Sequence, residues 1–214
     1  RLPGETTYVE TIGLEQRRKD VLGPNLSLSY DEPIHVVRGR GAYLYDSLGR
    51  EYLDGVNNVA HVGHEHPAVV RAGRRQMGVL NTNTRYLHTA ILQYAERLSA
   101  LFPEALSVCF LVNSGSEANE LALRLARAHT GGEAVVSLEG GYHGSTQACI
   151  DVSHYKFAGR GSAGAPPWVA AANMPDVFRG LYRSHDPAAA SRYAAHVGEC
   201  FERLAGTGYT ASAF

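Results

Sequence analysis

Two short stretches carry residue types whose spacing can do chemistry. Asn113-Ser114-Gly115-Ser116-Glu117-Ala118-Asn119-Glu120 joins an apolar run, 108–112, to a helical pattern. Free backbone N–H groups and the positive end of the helix dipole meet at such a junction, which makes an anion site without any lysine. Gly115 lets the backbone approach an anion closely, and the Ser114 and Ser116 hydroxyls add donors. The same residues also suit an ordinary helix start, with Ser114 or Ser116 as N-cap and Glu117 favouring the dipole; the short motif alone leaves both readings open. Neither GxxxxGK[ST] nor GxGxxG is present, which weakens a nucleotide-loop reading. The second stretch, Gly140-Gly141-Tyr142-His143-Gly144-Ser145-Thr146, follows the apolar run 134–138. Two parallel strands ending in these loops place both on one carboxyl edge, where open α/β sheets bind ligands. Tyr142 can then lie flat against a planar ring, while the glycines let the loop approach it. The plain alternative is a glycine-rich turn with a surface tyrosine.

Other chemistry-bearing residues argue for less. His61, His64 and His66 have neither HExxH spacing nor that of a matched zinc pair, so they read as a turn before a helix and no metal is expected. Cys109, Cys149 and Cys200 form no CxxC pair and read as packing residues in a reducing, cytoplasmic setting. The 214 residues carry 20 basic and 21 acidic side chains, a formal charge of −1 that recruits neither nucleic acid nor an anionic membrane. No run of about 18 apolar residues suggests a membrane span. Only two of the basic residues, Lys19 and Lys156, are lysines against eighteen arginines, which limits lysine-dependent chemistry.

The elements that must position these loops follow from periodicity. A short helix over 14–22 ends at Gly23-Pro24, and β-like pieces at 34–38, 42–46 and 51–54 suggest a small meander. Pro67 suits a first helical turn, with Val69, Val70, Met77 and Leu80 as an apolar face. A helix fits 88–101. The runs 108–112 and 134–138 with a helix between them read as a parallel βαβ unit, the helix burying Ala118, Leu121, Ala122, Leu125 and Ala126 and leaving Arg124 and Arg127 outside. A buried strand at 168–172, a helix opened by Asp186-Pro187 and running to about Leu204, and a last strand at 209–214 complete the reading.

Together these motifs resemble the class III aminotransferase family, the fold type I pyridoxal-phosphate enzymes. The matching stretches are Asn113 to Glu120, Tyr142-His143-Gly144 and Gly63-His64-Glu65-His66-Pro67. Within the family the chain is most similar to the ethanolamine-phosphate and phosphohydroxylysine phospho-lyase branch, through 57–64, 81–88, 153–157, Pro175-Asp176, Arg179-Gly180 and Tyr182-Arg183. The resemblance implies an α/β, three-layer large domain of fold type I, incomplete here, with a mostly parallel sheet. It places a small α+β segment before it: residues 1–55 belong to the small domain and 56–214 to the first part of the cofactor-binding large domain.

Carried over by position, the resemblance implies pyridoxal 5′-phosphate as cofactor, with its phosphate on Gly115 and Ser116, Ser114 alongside, and its ring on Tyr142 beside His143. Asn57, Asn58 and Val59 line the substrate entrance, and Arg85 and Tyr86 help form the partner's site in a homodimer. Arg85 is the expected contact for a carboxylate or phosphate. The substrate is an amine or a phosphorylated amine such as ethanolamine phosphate, and the reaction transamination or phosphate elimination. Family members are longer, and their Schiff-base lysine falls after Phe214, so no catalytic residue is assigned and the isolated chain is expected to be inactive. With Arg1 rather than Met at the start and an apolar strand at the end, the chain is expected to be an excerpt or a processed product. The alternative is a non-catalytic cofactor-binding or dimerising fragment.

Overall fold

A computed structural model describes residues 8–23, 25–26, 28, 30–56 and 61–214. The chain folds as two compact units, Arg1–His88 and Thr89–Phe214.

The first unit contains α1 (Tyr8–Val21), a meander of β1 (Val36–Arg40), β2 (Tyr43–Asp46) and β3 (Glu51–Leu53), and α2 (Pro67–Met77). The helix over 14–22 thus begins earlier than expected, and the meander forms, antiparallel in the order β1-β2-β3. Its tight turn closes on Asp46, 3% exposed, whose carboxylate accepts from Leu48 N, Arg50 N, Arg50 Nε and Tyr52 OH at 2.6–2.9 Å. Burial alone pushes this carboxyl up, but the bonds from Arg50, Tyr52 and Leu48 outweigh it and bring its pKa down to about 2. His64 pairs through its backbone with Gly41 in both directions, and its Nε2 lies 2.7 Å from Asp54 Oδ2. Gly39 is required there, since a Cβ would sit 2.5 Å from His64 Cγ. The apolar face expected on α2 is not buried: Val69 is 59% and Met77 80% exposed.

The second unit contains α3 (Thr89–Ser99), α4 (Gly115–Thr130), β4 (Ala134–Leu138), α5 (Gln147–Val152), α6 (His154–Phe157), β5 (Val169–Ala172), α7 (Ala189–Gly206) and β6 (Ala211–Ala213). A parallel sheet in the order β5-β4-β6 forms its centre, with Val135 opposite Val169 and Leu138 opposite Ala172. Alternation along β4 then sorts the two faces. Ala134 and Val136, with Ala170 and Ala172, pack on Cys200 and Leu204 of α7. Val135 and Val169 meet Val152 of α5 and Leu123 of α4 on the other face. Helix, sheet and helix make three layers, and Cys149 and Cys200 are buried within them as packing residues.

Four expectations are corrected in this unit. Residues 108–112 form no strand: among the described residues nothing pairs with them, and Val108 and Phe110 are 78% and 61% exposed. Apolar composition favours a strand, but a strand exists only with a ladder partner, and the parallel pairs of this sheet are β4–β5 and β4–β6. On α4 the core residue is Leu123, outside the expected stripe, while Leu125 is 45% exposed. Arg127, expected outside, lays its guanidinium 4.5 Å from the Trp168 ring centroid. Asp186 opens the turn before α7, its carboxylate accepting from Ala188 N at 2.8 Å, but the helix proper starts at Ala189.

Candidate functional site

The helix start at Gly115 is built twice over. Ser114, extended at φ −154°, is the N-cap of α4 and accepts from Glu117 N at 3.1 Å. The Glu117 carboxylate reaches back to accept from Asn113 N at 2.6 Å. The Ser114 hydroxyl is therefore the cap that the bland reading expected. Gly115 N and Ser116 N, in the first turn, have no intrahelical acceptor and remain the anion donors of this helix end. At the other end, Gly131 closes α4 in the left-handed region, φ 68°.

The loop after β4 is sewn onto that helix start. Ser145 N donates to Ser116 Oγ at 3.0 Å, so the Ser116 oxygen accepts within the protein and its own proton is left to donate outward. Asn119 Nδ2 donates to the His143 carbonyl at 2.7 Å, and Cys149 Sγ donates to the Ser116 carbonyl at 3.4 Å. Gly144 makes the approach feasible: at φ +139°, an added Cβ would sit 2.6 Å from Ser116 Oγ and 2.8 Å from its Cα.

A second set of bonds holds the same loop from below. Buried Ser153 accepts from His143 N at 2.9 Å and donates to the Cys149 carbonyl at 2.5 Å. Gly140 N donates to His154 Nδ1 and Tyr155 N to the Gly141 carbonyl, both at 3.0 Å. Tyr142, 55% exposed as a residue, is thereby presented with its hydroxyl 2.8 Å from Ser145 Oγ and its ring 6.2 Å from that of Tyr155, edge to face. The Lys156 ammonium lies 5.6 Å from the Tyr142 centroid and 5.4 Å from that of Tyr155.

Beside these loops, α4 and β4 enclose a cavity of about 580 Å³ whose wall includes Asn119, Ser137, Tyr142 and His143. Two of its polar atoms, Ser137 Oγ and His143 Nε2, are buried without a hydrogen-bond partner among the described residues. Orphaned polar atoms in a cavity are costly and call for a polar occupant or neighbour. The donors at Gly115 and Ser116, the half-exposed Tyr142 and these orphans fit a group that is anionic at one end and a planar, polar ring at the other.

The structure thus brings Ser114, Gly115, Ser116, Tyr142 and His143 together at the β4 edge. Arg85 and Tyr86 belong to the first unit, where Asn83 Oδ1 accepts from both Arg85 N and Arg85 Nε, at 3.0 and 3.2 Å, and Tyr86 is 67% exposed. Asn57, Asn58 and Val59 lie outside the described residues. Sequence reasoning missed Asn119, Cys149, Ser153 and His154 as the residues that position the loop, and missed the place of Lys156 beside Tyr142. Their bonds join positions as far as 33 residues apart, and no local pattern announces them.

The family model for class III aminotransferases matches residues 27–205. A fruit fly (Drosophila melanogaster) protein named alanine–glyoxylate aminotransferase 2-like is 48% identical over 179 residues, covering 83% of this chain and 36% of that protein. A nematode (Caenorhabditis elegans) ethanolamine-phosphate phospho-lyase homolog is 41% identical over 172 residues, covering 80% of this chain and 37% of that protein. Among solved structures, a phospholyase from Arthrobacter in complex with phosphoethanolamine superposes with a TM-score of 0.82 at 40% identity, over 93% of this chain and 46% of that one. The chain therefore spans less than half the length of these relatives. Its architecture is the α/β fold of the fold type I enzymes, and pyridoxal 5′-phosphate, the cofactor of that family, has the anionic end and planar ring that the two loops fit. On the reach of the family model and the identity to these relatives, the chain belongs to the class III aminotransferases.

Proposed function

We propose that the protein to which this chain belongs is a phospho-lyase, eliminating phosphate from a phosphorylated primary amine of the ethanolamine-phosphate type. The likeness to the Arthrobacter phospholyase carries this reading, because it extends over 93% of the chain. A second feature agrees with it: the Lys156 ammonium beside Tyr142 is bonded to no carboxylate among the described residues, which suits an anionic substrate. The other lysine, Lys19, is paired with Glu15 at 2.7 Å.

When bound, the cofactor supplies an electron sink for the carbon that bears the substrate amine. The chain's own residues do the holding. Gly115 N, Ser116 N and the Ser116 hydroxyl anchor the phosphate, with Ser114 fixing the helix start that presents them. Tyr142 would cover one face of the ring and exclude water from it, and His143, whose Nε2 is buried without a hydrogen-bond partner among the described residues, would lie beside it. Arg85, with Tyr86, is proposed to meet the anionic group of the substrate at the site of a partner copy, in a homodimer. Residues 1–55 contribute to the small domain and 56–214 to the cofactor-binding domain. The 214-residue chain alone is proposed to bind cofactor without turning over, since the family resemblance gives neither Lys19 nor Lys156 the role of bonding the cofactor. No described helix is long and apolar enough to cross a membrane, and three free thiols agree with a reducing, cytoplasmic setting.

The test gives the whole protein phosphoethanolamine with no keto acid. Water replaces the released groups, and the expected products are inorganic phosphate, ammonia and acetaldehyde in equal amounts. Strict dependence on a keto acceptor, with the substrate phosphate retained in the product, would make the protein a transaminase instead.

A further inference from the structure

The first unit holds a second concave site that the cofactor reading leaves unused. A cavity of about 680 Å³ is bounded by Arg38 and Arg40 of β1, Arg71 and Arg74 of α2, and the turn residues Glu65 and His66. Its lining thus holds four arginines and one acidic residue. Glu65 Oε2 accepts from Arg38 Nη2 at 3.3 Å, while Arg40, Arg71 and Arg74 are bonded to no carboxylate among the described residues. In a chain with a formal charge of −1, this is a concentrated excess of positive charge, and like charges around one cavity repel unless an anion enters. The start of α2 adds to the potential: its N-cap, His66, makes no side-chain capping bond, and its first turn has no acidic residue.

The acid at this site is held in place. Glu65 is the one non-glycine residue with positive φ among the described residues, at 57°. Its neighbour His64 is bonded to Gly41 through the backbone in both directions and to Asp54 through the ring. Glu65 therefore stays on the cavity wall, on Arg38, and competes with any incoming anion for that guanidinium.

We infer that this cavity binds a ligand carrying a diphosphate group, with Arg40, Arg71 and Arg74 as its contacts and Glu65 as the internal competitor. Guanidinium groups take phosphate oxygens through two parallel bonds, and three unpaired cations match the charge of about three carried by a diphosphate near neutral pH. The volume lies within the range of roughly 300–1,000 Å³ that small-molecule sites occupy. The inference does not rest on the reading of the cofactor loops.

The test titrates the chain with inorganic pyrophosphate by calorimetry, then with a nucleoside diphosphate to separate a bare diphosphate site from one that also reads an organic group. Saturable binding is expected. The double substitution Arg71→Ala/Arg74→Ala, on exposed helix positions, is expected to weaken it at least tenfold with an unchanged circular dichroism spectrum. Glu65→Gln is expected to tighten it severalfold, which a merely unfolding effect cannot do. Absence of saturable binding, or binding that survives the double substitution and disappears in Gly144→Ala, overturns the inference; the latter result would assign the anion to the Gly115–Ser116 cradle.

Discussion

Gly144→Ala is expected to lower the affinity of the chain for pyridoxal 5′-phosphate at least tenfold, a loss of about 1.4 kcal/mol or more. The residue sits at φ +139°, a conformation that L side chains rarely adopt, and its Cβ would lie 2.6, 2.8 and 2.9 Å from Oγ, Cα and Cβ of Ser116. Two of those atoms lie on or next to the backbone of the first helical turn and cannot swing aside. The loop must therefore retreat, which breaks the bond from Ser145 N to Ser116 Oγ and releases the hydroxyl from its donating orientation. Titration followed by absorbance of the bound cofactor measures the effect. An affinity within twofold of the unchanged chain would show that the close approach of the two loops has no part in binding.

Gly132→Ala should be the most destabilising single-methyl change in the second unit, at about 3 kcal/mol. A Cβ at Gly132 would overlap the Ala211 carbonyl oxygen and lie 2.7 Å from both the Ala211 carbonyl carbon and the Thr210 oxygen. All of these are backbone atoms. The same Thr210 oxygen accepts from Glu133 N and Ala134 N at 3.0 and 2.8 Å, so displacement undoes the start of the β4–β6 pairing. The cost is expected as a urea midpoint lowered by roughly 1 M or more, with the slope of the transition unchanged. Gly144→Ala, in an edge loop, should move that midpoint much less, and this separates damage to the core from damage to the cradle.

The parts of the fold that could be read in the sequence are those that local chemistry decides. β4 falls on its expected residues because a five-residue apolar run between turn signals has few other uses, and the meander follows from its glycine punctuation. Residues 108–112 are an equally long and even more apolar run, yet they form no strand, because a ladder needs a partner and composition does not name one. The helix α4 carries alanine and leucine on more than one face, so periodicity could not tell that Leu123 rather than Leu125 meets the sheet. At the candidate site, Gly115, Ser116 and Tyr142 stood out because a glycine, a hydroxyl or an aromatic at a strand end has a direct chemical use. Ser153 and Cys149 did not: their value lies in bonds to His143 and Ser116, which depend on how α5 folds back against α4. Lys156 stood out as one of two lysines and within the family-like stretch 153–157, but its place beside Tyr142 depends on the short helix α6 being tied to the Gly140–Gly144 loop.

The central claim is that the Gly115–Ser116 helix start holds the cofactor by its phosphate, with Tyr142 under the ring. Titrating the chain with pyridoxal 5′-phosphate and, in parallel, with pyridoxal addresses it most directly, since the two differ only in the group the cradle is built for. The account predicts that pyridoxal 5′-phosphate binds at least tenfold more tightly, and that inorganic phosphate competes with it. Equal affinity for the two compounds would contradict it.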